Sequence, residues 1–305
     1  MKILEELFFI KETLRYGYGP KGVLKYLINK FWKSKEIYNF KLPKYRAVEN
    51  VEIHFLCQKK DALMLAWSLA SFIIQTGICP KVIVHDDGSF DLDTASKLES
   101  KFPELKVLFL KKANQLINNI TDLSPKLLKY RNHGHKLIYK LVDIFLLSQS
   151  DKVMVLDSDV LFFNRPEEIL NFINGNADCD SLISRHDGTY DLMLSSDYST
   201  KYDIFKNEAG YMNSGIILYK KDRIGDDKLL EYFENTLREP GNYFVEMAGW
   251  ASLISQTKFK FLTRERYIVK GKPNQNTVAK HFTSPRRHEF YIYGIDMVKK
   301  EIIRT

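Results

Sequence analysis

The sequence predicts an α/β fold, a Rossmann-like and mostly parallel central sheet flanked by helices, with a helical N-terminal extension. Three observations carry this expectation. From Val51 onward, short β-type runs alternate with longer segments of helical periodicity, the pattern of βαβ units. One run, Val153-Met-Val-Leu156, is wholly apolar and bounded by charges, which suits a strand buried on both faces. The chain has 305 residues, 45% hydrophobic and 28% charged, enough to bury a sizeable core.

Taken in order, residues 1–46 form a basic extension and residues 47–305 the α/β domain. Residues 1–50 hold 11 Lys/Arg against 5 Glu, so most of the net charge of +8 sits there. Val51-Glu-Ile-His-Phe-Leu-Cys57 reads as the first strand. Asp61 is placed to cap a helix running through Trp67 to Ile74. Lys81–His85 is the second strand, leading into the turn Asp86-Asp87-Gly88-Ser89. A helix near Asp91–Phe102 and a strand near Leu105–Leu110 follow. Leu137, Leu141, Ile144, Phe145 and Leu146 repeat at helical spacing before the central strand. Further strands are expected at Ser181–Ser184 and Met212–Tyr219, and helices near Pro166–Ile173, Asp226–Leu237 and Glu246–Ser255. The polar stretches 185–206 and 263–277 are long enough to be functional loops.

Several classes are disfavoured by composition. The longest apolar run, Ala62–Ile74, contains two serines and falls short of the roughly 20 residues that cross a bilayer. The first residues carry Glu5, Glu6 and Glu12 around a short apolar patch, unlike a secretory leader, which favours a cytoplasmic protein. Cys57, Cys79 and Cys179 are far apart, without metal-site spacing, and read as reduced and buried. No nucleic-acid-binding motif is visible.

The chemistry concentrates at the end of the central strand, in Asp157-Ser158-Asp159. Residues two apart in an extended segment face the same way, so both carboxylates can converge on one cation at the carboxyl edge of the sheet. Mg²⁺ or Mn²⁺ takes one or two carboxylates together with phosphate oxygens and neutralises a diphosphate leaving group. The same Asp-x-Asp also occurs in solvated loops and helix caps.

The segment resembles the acidic motif of the nucleotide-sugar-dependent GT-A glycosyltransferases, in particular family 8, the glycogenin and lipopolysaccharide galactosyltransferase type. The resemblance implies a GT-A fold and transfer of a sugar from a UDP- or GDP-sugar to a glycan or lipid-linked acceptor. It implies a metal held by Asp157, Asp159 and His281, where Lys280-His281-Phe282 is similar to that family's late His. Lys140, seventeen residues before Asp157, occupies the place of a basic donor-binding residue. Asn213-Ser214-Gly215 resembles the Asn-Ser-Gly that frames the sugar pocket, and Ser158 lies within the acidic motif. The family's HxxGxxKPW pattern reads His-Phe-Thr-Ser-Pro-Arg-Arg-His-Glu here, and Glu246-Met247 stands where an acidic-Gln-Asp segment is expected.

The turn His85–Ser89 also resembles the Asp-Asp-Gly-Ser of family 2 enzymes, which puts Asp86 and Asp87 at the nucleoside; Asp-Gly is equally a common turn dipeptide. Arg286 and Arg287, with Lys280, are candidates to clamp the diphosphate. Glu246, Asp187 and Asp191 are candidate general bases should the reaction invert. The other readings are a sugar nucleotidyltransferase, whose Gly-rich signature is lacking after the first strand, and a catalytically inactive carbohydrate-binding relative. Finally, aromatics interleaved with Lys and Arg over residues 8–35 suit peripheral contact with an anionic membrane, at the inner face, or else amphipathic helices packed on the domain.

Overall fold

The computed structural model describes residues 2–186, 188, 193–202 and 208–304. Its central sheet has seven strands in the order β3-β2-β1-β4-β7-β6-β8, where β1 is Arg46–Cys57, β2 Ile78–Asp86, β3 Leu105–Leu108 and β4 Lys152–Leu156. The sheet continues with β6 (Ser181–Arg185), β7 (Met212–Lys220) and β8 (Phe259–Phe261). A second sheet of three short strands joins β5 (Val160–Phe162), β10 (Ala279–His281) and β9 (Tyr267–Ile268).

The α/β expectation holds, and β4 falls on the run that the sequence marked. All of Val153, Met154, Val155 and Leu156 are buried, because helices cover both faces of the sheet. β1 pairs in parallel with β2 and with β4, on either side, while β7 alone runs against the others: it is antiparallel to β4 and to β6. That reversal decides where the site can form. The carboxyl ends of β1, β2 and β4 meet at one edge, and the first residues of β7 stand beside them.

The run Ala62–Thr76 is one buried helix, stopped by Gly77 at φ +69°, whose N–H donates to Ile73 O at 2.8 Å. A left-handed residue there suits glycine, which has no Cβ to clash. Asp61 stands before this helix but makes no cap; its carboxylate pairs with Arg287 Nη1 at 3.2 Å instead. Charge attraction to a distant guanidinium has won over a local N–H bond. The three-residue strands β5 and β8 and the two-residue β9 were not anticipated, since such runs are too short to show a period of two.

At the amino end, helices Lys2–Arg15 and Gly19–Phe31 pack on the C-terminal part of the chain. Phe9, Tyr26 and Ile37 belong to the same hydrophobic core as Tyr291 and the helix Ala62–Thr76. Asn29 donates to Tyr291 O at 2.5 Å, and Tyr18 donates to Glu289 at 2.9 Å.

A polar ladder crosses β1 and β2 inside the core. His54 Nδ1 lies 2.9 Å from His85 Nε2, and its Nε2 lies 3.2 Å from Glu52, which also meets Lys81 at 2.7 Å. Burial pushes both imidazoles below their ordinary value of 6.5. Folding therefore holds them neutral, so their contribution is whole above the unfolded value and is lost as pH falls through it, by up to about 1.4 kcal/mol per pH unit for each group. The melting temperature should fall between pH 7 and pH 5, and His85→Asn should fall less steeply over that range. Equal slopes for the two proteins in calorimetry would refute this account.

Candidate active site

Asp157 follows β4 directly, and its backbone N–H donates to Gly215 O at 2.9 Å. Because β7 is antiparallel, Asn213-Ser214-Gly215 lies at its start and so faces the end of β4. Asp159 leads into β5, and the antiparallel register of β5 with β10 sets His281 opposite Val160. The backbone then locks the pairing, since Phe282 N–H donates to Asp159 O at 2.8 Å. A strand end, a reversed strand start and a small second sheet thus bring three distant segments to one point.

His281 Nε2 lies 3.0 Å from Asp159 Oδ1 and 3.4 Å from Asp157 Oδ2. One ligand atom from each of Asp157, Asp159 and His281 falls within 4.8 Å of the others, a grouping that could hold a metal ion. Asn213 fixes the imidazole: its Oδ1 accepts from Gly215 N–H at 3.0 Å and lies 2.7 Å from His281 Nδ1. An amide oxygen only accepts, so Nδ1 carries the proton and Nε2 is left as a ligand atom facing the carboxylates. Two carboxylates and an imidazole suit Mn²⁺ or Mg²⁺, Mn²⁺ more readily given the nitrogen.

Gly215 is required by this contact. A Cβ there would stand 2.3 Å from His281 Nδ1 and 2.9 Å from Asn213 Oδ1. The glycine of Asn-Ser-Gly therefore permits the imidazole to approach the strand.

Two cations hold the acidic cluster. Lys140, buried on helix Ile138–Leu147, lies 2.6 Å from Asp157 Oδ1 and 3.5 Å from Glu246 Oε1, and donates to Ser214 O at 2.7 Å. Burial opposes its charge, but Asp157 and Glu246 hold its ammonium above the ordinary lysine value. Arg287 donates from Nε to Asp159 Oδ2 at 2.8 Å while pairing with Asp61. Burial likewise opposes ionisation of Asp159, yet Arg287 and His281 keep its carboxyl below the usual carboxylate range. Glu246, on helix Val245–Ile254, accepts from Ser214 Oγ at 3.2 Å. Its burial pushes the carboxyl up to about 7, against the pull of Lys140.

These groups line one cleft of about 600 Å³ at the carboxyl edge of the sheet. Asp157, Ser158, Asp159, Lys140, Asn213, Ser214, Glu246 and His281 all border it, as does Asp87. Asp86 does not. Its Oδ1 accepts from the N–H groups of Gly88, Ser89 and Phe90, at 2.7, 2.9 and 3.0 Å, and Oδ2 from Leu110, so it shapes the turn and leaves the cleft to Asp87.

Arg286 is also outside: its guanidinium lies over Tyr16, 4.5 Å from the ring centroid, and meets Glu289 at 3.3 Å. Arg287 takes the position in the cleft, because successive residues of this tight turn point in different directions. Lys280 is likewise turned away and buried against Glu289 at 2.6 Å and Tyr293 at 2.8 Å. Asp187 and Asp191 lie outside the described residues.

Sequence reasoning did not find Tyr243 and Phe244, which border the cleft with 59% and 39% exposure. The signal was an aromatic pair just ahead of Glu246 in a stretch with no other reason to be apolar.

No family model and no curated sequence matches the chain. Among solved structures, the bifunctional glycosyltransferase WbbM without ligand is similar at a TM-score of 0.52 and 13% identity; the match covers 86% of this chain and about half, 52%, of that one. The galactosyltransferase LgtC, in complex with donor and acceptor sugar analogues, gives 0.48 and 13% over 83% and 95% of the two chains. Mouse xyloside xylosyltransferase 1, without ligand, gives 0.48 and 10% over 78% and 99%. The WbbM likeness, with the strand order described above, gives the chain the GT-A fold of the glycosyltransferases.

Gly215→Ala should push His281 off the carboxylates at a packing cost of about 1–3 kcal/mol and weaken Mn²⁺ binding by roughly 10–100-fold. Titration calorimetry checks this; unchanged affinity in a folded variant would mean that His281 is no ligand.

Proposed function

We propose that this chain is a metal-dependent glycosyltransferase that moves a sugar from a nucleoside diphosphate donor, a UDP- or GDP-sugar, to a glycan or lipid-linked acceptor. The observation that carries the reading is the convergence of Asp157, Asp159 and His281 with two cations, Lys140 and Arg287, in one cleft of a GT-A fold. Asp157, Asp159 and His281 would hold Mn²⁺ or Mg²⁺, which would supply Lewis-acid neutralisation of the departing diphosphate.

The chain's own residues do the rest. Arg287, now bonded to Asp159, has the planar fork that suits phosphate oxygens and can turn to them when a donor enters. Lys140 fixes Asp157 and the Ser214 carbonyl, which keeps the sugar side of the cleft in register with the phosphate side. Asp87 is the acidic group offered to the nucleoside end, where a carboxylate accepts from a base N–H or a ribose hydroxyl. Tyr243 and Phe244 offer exposed rings at the rim, where the acceptor would enter.

Retention of the anomeric configuration fits this arrangement better than inversion. Glu246 is engaged by both Lys140 and Ser214, which favours a role in setting charge and position over that of a free base. The departing diphosphate oxygen is then the acceptor of the incoming hydroxyl's proton. The three free cysteines, all buried, suit a reducing, cytoplasmic setting.

Asp159→Asn removes charge but keeps shape, and should lower sugar transfer by at least about 100-fold while far-ultraviolet circular dichroism stays unchanged. Nucleotide release from a panel of UDP-, GDP- and CMP-sugars reads the donor, and EDTA should abolish that release until Mn²⁺ is restored. Full activity of the variant, or indifference to EDTA, would end the metal-dependent reading. Proton NMR of the newly made glycosidic bond should give the donor's anomer; the opposite anomer would overturn retention.

A further inference from the structure

The two N-terminal helices bury polar groups beside Phe9 and Tyr26 and expose much of their apolar surface. In Lys2–Arg15 the face turned to the protein holds Phe9 together with the polar Glu12 and Thr13, both buried, whereas Ile3, Leu4, Leu7, Phe8 and Leu14 point to solvent. In Gly19–Phe31 the buried residues are Gly22, Tyr26 and Asn29, while Leu24, Ile28 and Phe31 are exposed, followed by Trp32 at 66%. Several inward polar groups find partners: Thr13 donates to Phe9 O, Tyr26 to Glu6 and Asn29 to Tyr291 O, while Glu12 Oε2 and Asn29 Oδ1 are buried without one. Of the fourteen large hydrophobic side chains exposed among the described residues, nine lie between Ile3 and Trp32. A water-facing helix ordinarily presents its polar side outward, so this concentration marks a docking face.

Charge indicates the partner. Lys11 and Arg15 stand exposed at helical spacing among the outward leucines, and Lys21 and Lys25 flank Leu24 on the second helix. A protein partner would meet apolar area edged by any charge pattern, but an apolar stripe whose exposed charges on these two helices are all basic, with Lys25 also meeting Asp296 at 2.8 Å and Arg15 meeting Glu12 at 3.5 Å, fits the boundary between acyl chains and anionic headgroups. We propose that the outward face of this helical hairpin docks the protein on an anionic lipid surface, with Leu4, Leu7, Phe8 and Leu14 entering the acyl boundary and Lys11, Arg15, Lys21 and Lys25 among the headgroups.

The face is held rigidly, because the turn of the hairpin is tied to the segment that delivers Arg287. Tyr16 lies under Arg286 and 5.4 Å from the His288 ring, and Tyr18 donates to Glu289. Docking thereby fixes the orientation of the donor cleft relative to the lipid. This deepens the transferase reading and rests on it only for that use; lipid binding itself is independent of catalysis.

The test is cosedimentation of the full chain with vesicles of about one-third phosphatidylglycerol in phosphatidylcholine, beside pure phosphatidylcholine, at low and high salt. The full chain should pellet with the anionic vesicles at low salt and less at high salt. Leu4→Ser, Leu7→Ser and Phe8→Ser combined should raise the apparent Kd at least about tenfold. Leu92→Ser, which alters an equally exposed leucine on another helix, should change nothing. Lys11→Glu with Lys21→Glu should remove the preference for anionic vesicles.

A full chain that stays in the supernatant at low salt overturns the proposal, as does equal binding by the triple variant. So does dimerisation in light scattering that the triple variant abolishes, because the face would then belong to a second copy. The Asp159→Asn protein should pellet like the unaltered chain, so that failed docking and failed transfer are read separately.

Discussion

Three carboxylates cannot share a buried corner without cations, and that constraint organises the site. Asp159 and Glu246 are both buried, Asp157 lies beside them, and each ionised group raises the cost of the next. Lys140 answers Asp157 and Glu246 together; Arg287 answers Asp159. On the proposed reading, Asp157, Asp159 and His281 would hold a divalent ion that supplies positive charge at Asp159, and Arg287 would be free to turn from Asp159 to a donor phosphate. Lys140 has no such freedom, since it also bonds the Ser214 carbonyl and side chain. It is the fixed cation, and Arg287 the exchangeable one.

The fold that presents this corner was legible where burial is continuous. Val153–Leu156 could be read as the central strand because helices on both faces remove every polar alternative. The reversed direction of β7 could not be read, because a strand of apolar residues looks the same whichever way it runs. Yet the reversal sets Asn213 and Gly215 against His281. The three-residue strands carrying Val160 and His281 were equally silent, since two or three alternations do not rise above chance. What pointed to His281 was its resemblance to a late family histidine, not its local pattern.

The misplacements also have a common cause. Asp86 and Asp87 are adjacent, as are Arg286 and Arg287, and in each pair one member borders the cleft while the other turns away from it, Asp86 to the N–H groups of its own turn and Arg286 to Tyr16 and Glu289. Sequence locates a turn to within a residue or two, whereas the direction of each side chain depends on turn geometry that the residue types alone leave open. Asp61 went the same way: its N-cap position was right, but Arg287 outcompeted the local N–H groups for its carboxylate.

In the N-terminal hairpin the sequence left two readings open, contact with an anionic membrane or amphipathic helices packed on the domain, because periodicity does not say which face turns inward. A helical period in Leu4, Leu7, Phe8 and Leu14 ordinarily means a face packed on the core, and the buried Glu12, Thr13 and Asn29 would ordinarily face water. Here the body of the protein supplies partners for the polar face, the carbonyl of Tyr291 and the carboxylate of Glu289 among them. With Asn29 and Tyr18 tied to Tyr291 and Glu289, the apolar stripe is left facing outward. The same C-terminal segment, Arg286 to Tyr291, therefore does two things: it brings Arg287 to Asp159 on one side and inverts the hairpin on the other. A chain that needed only a soluble transferase core could bury the leucines and leave Asn29 to water. Keeping the polar side inward makes sense if the outward face has its own apolar medium to meet.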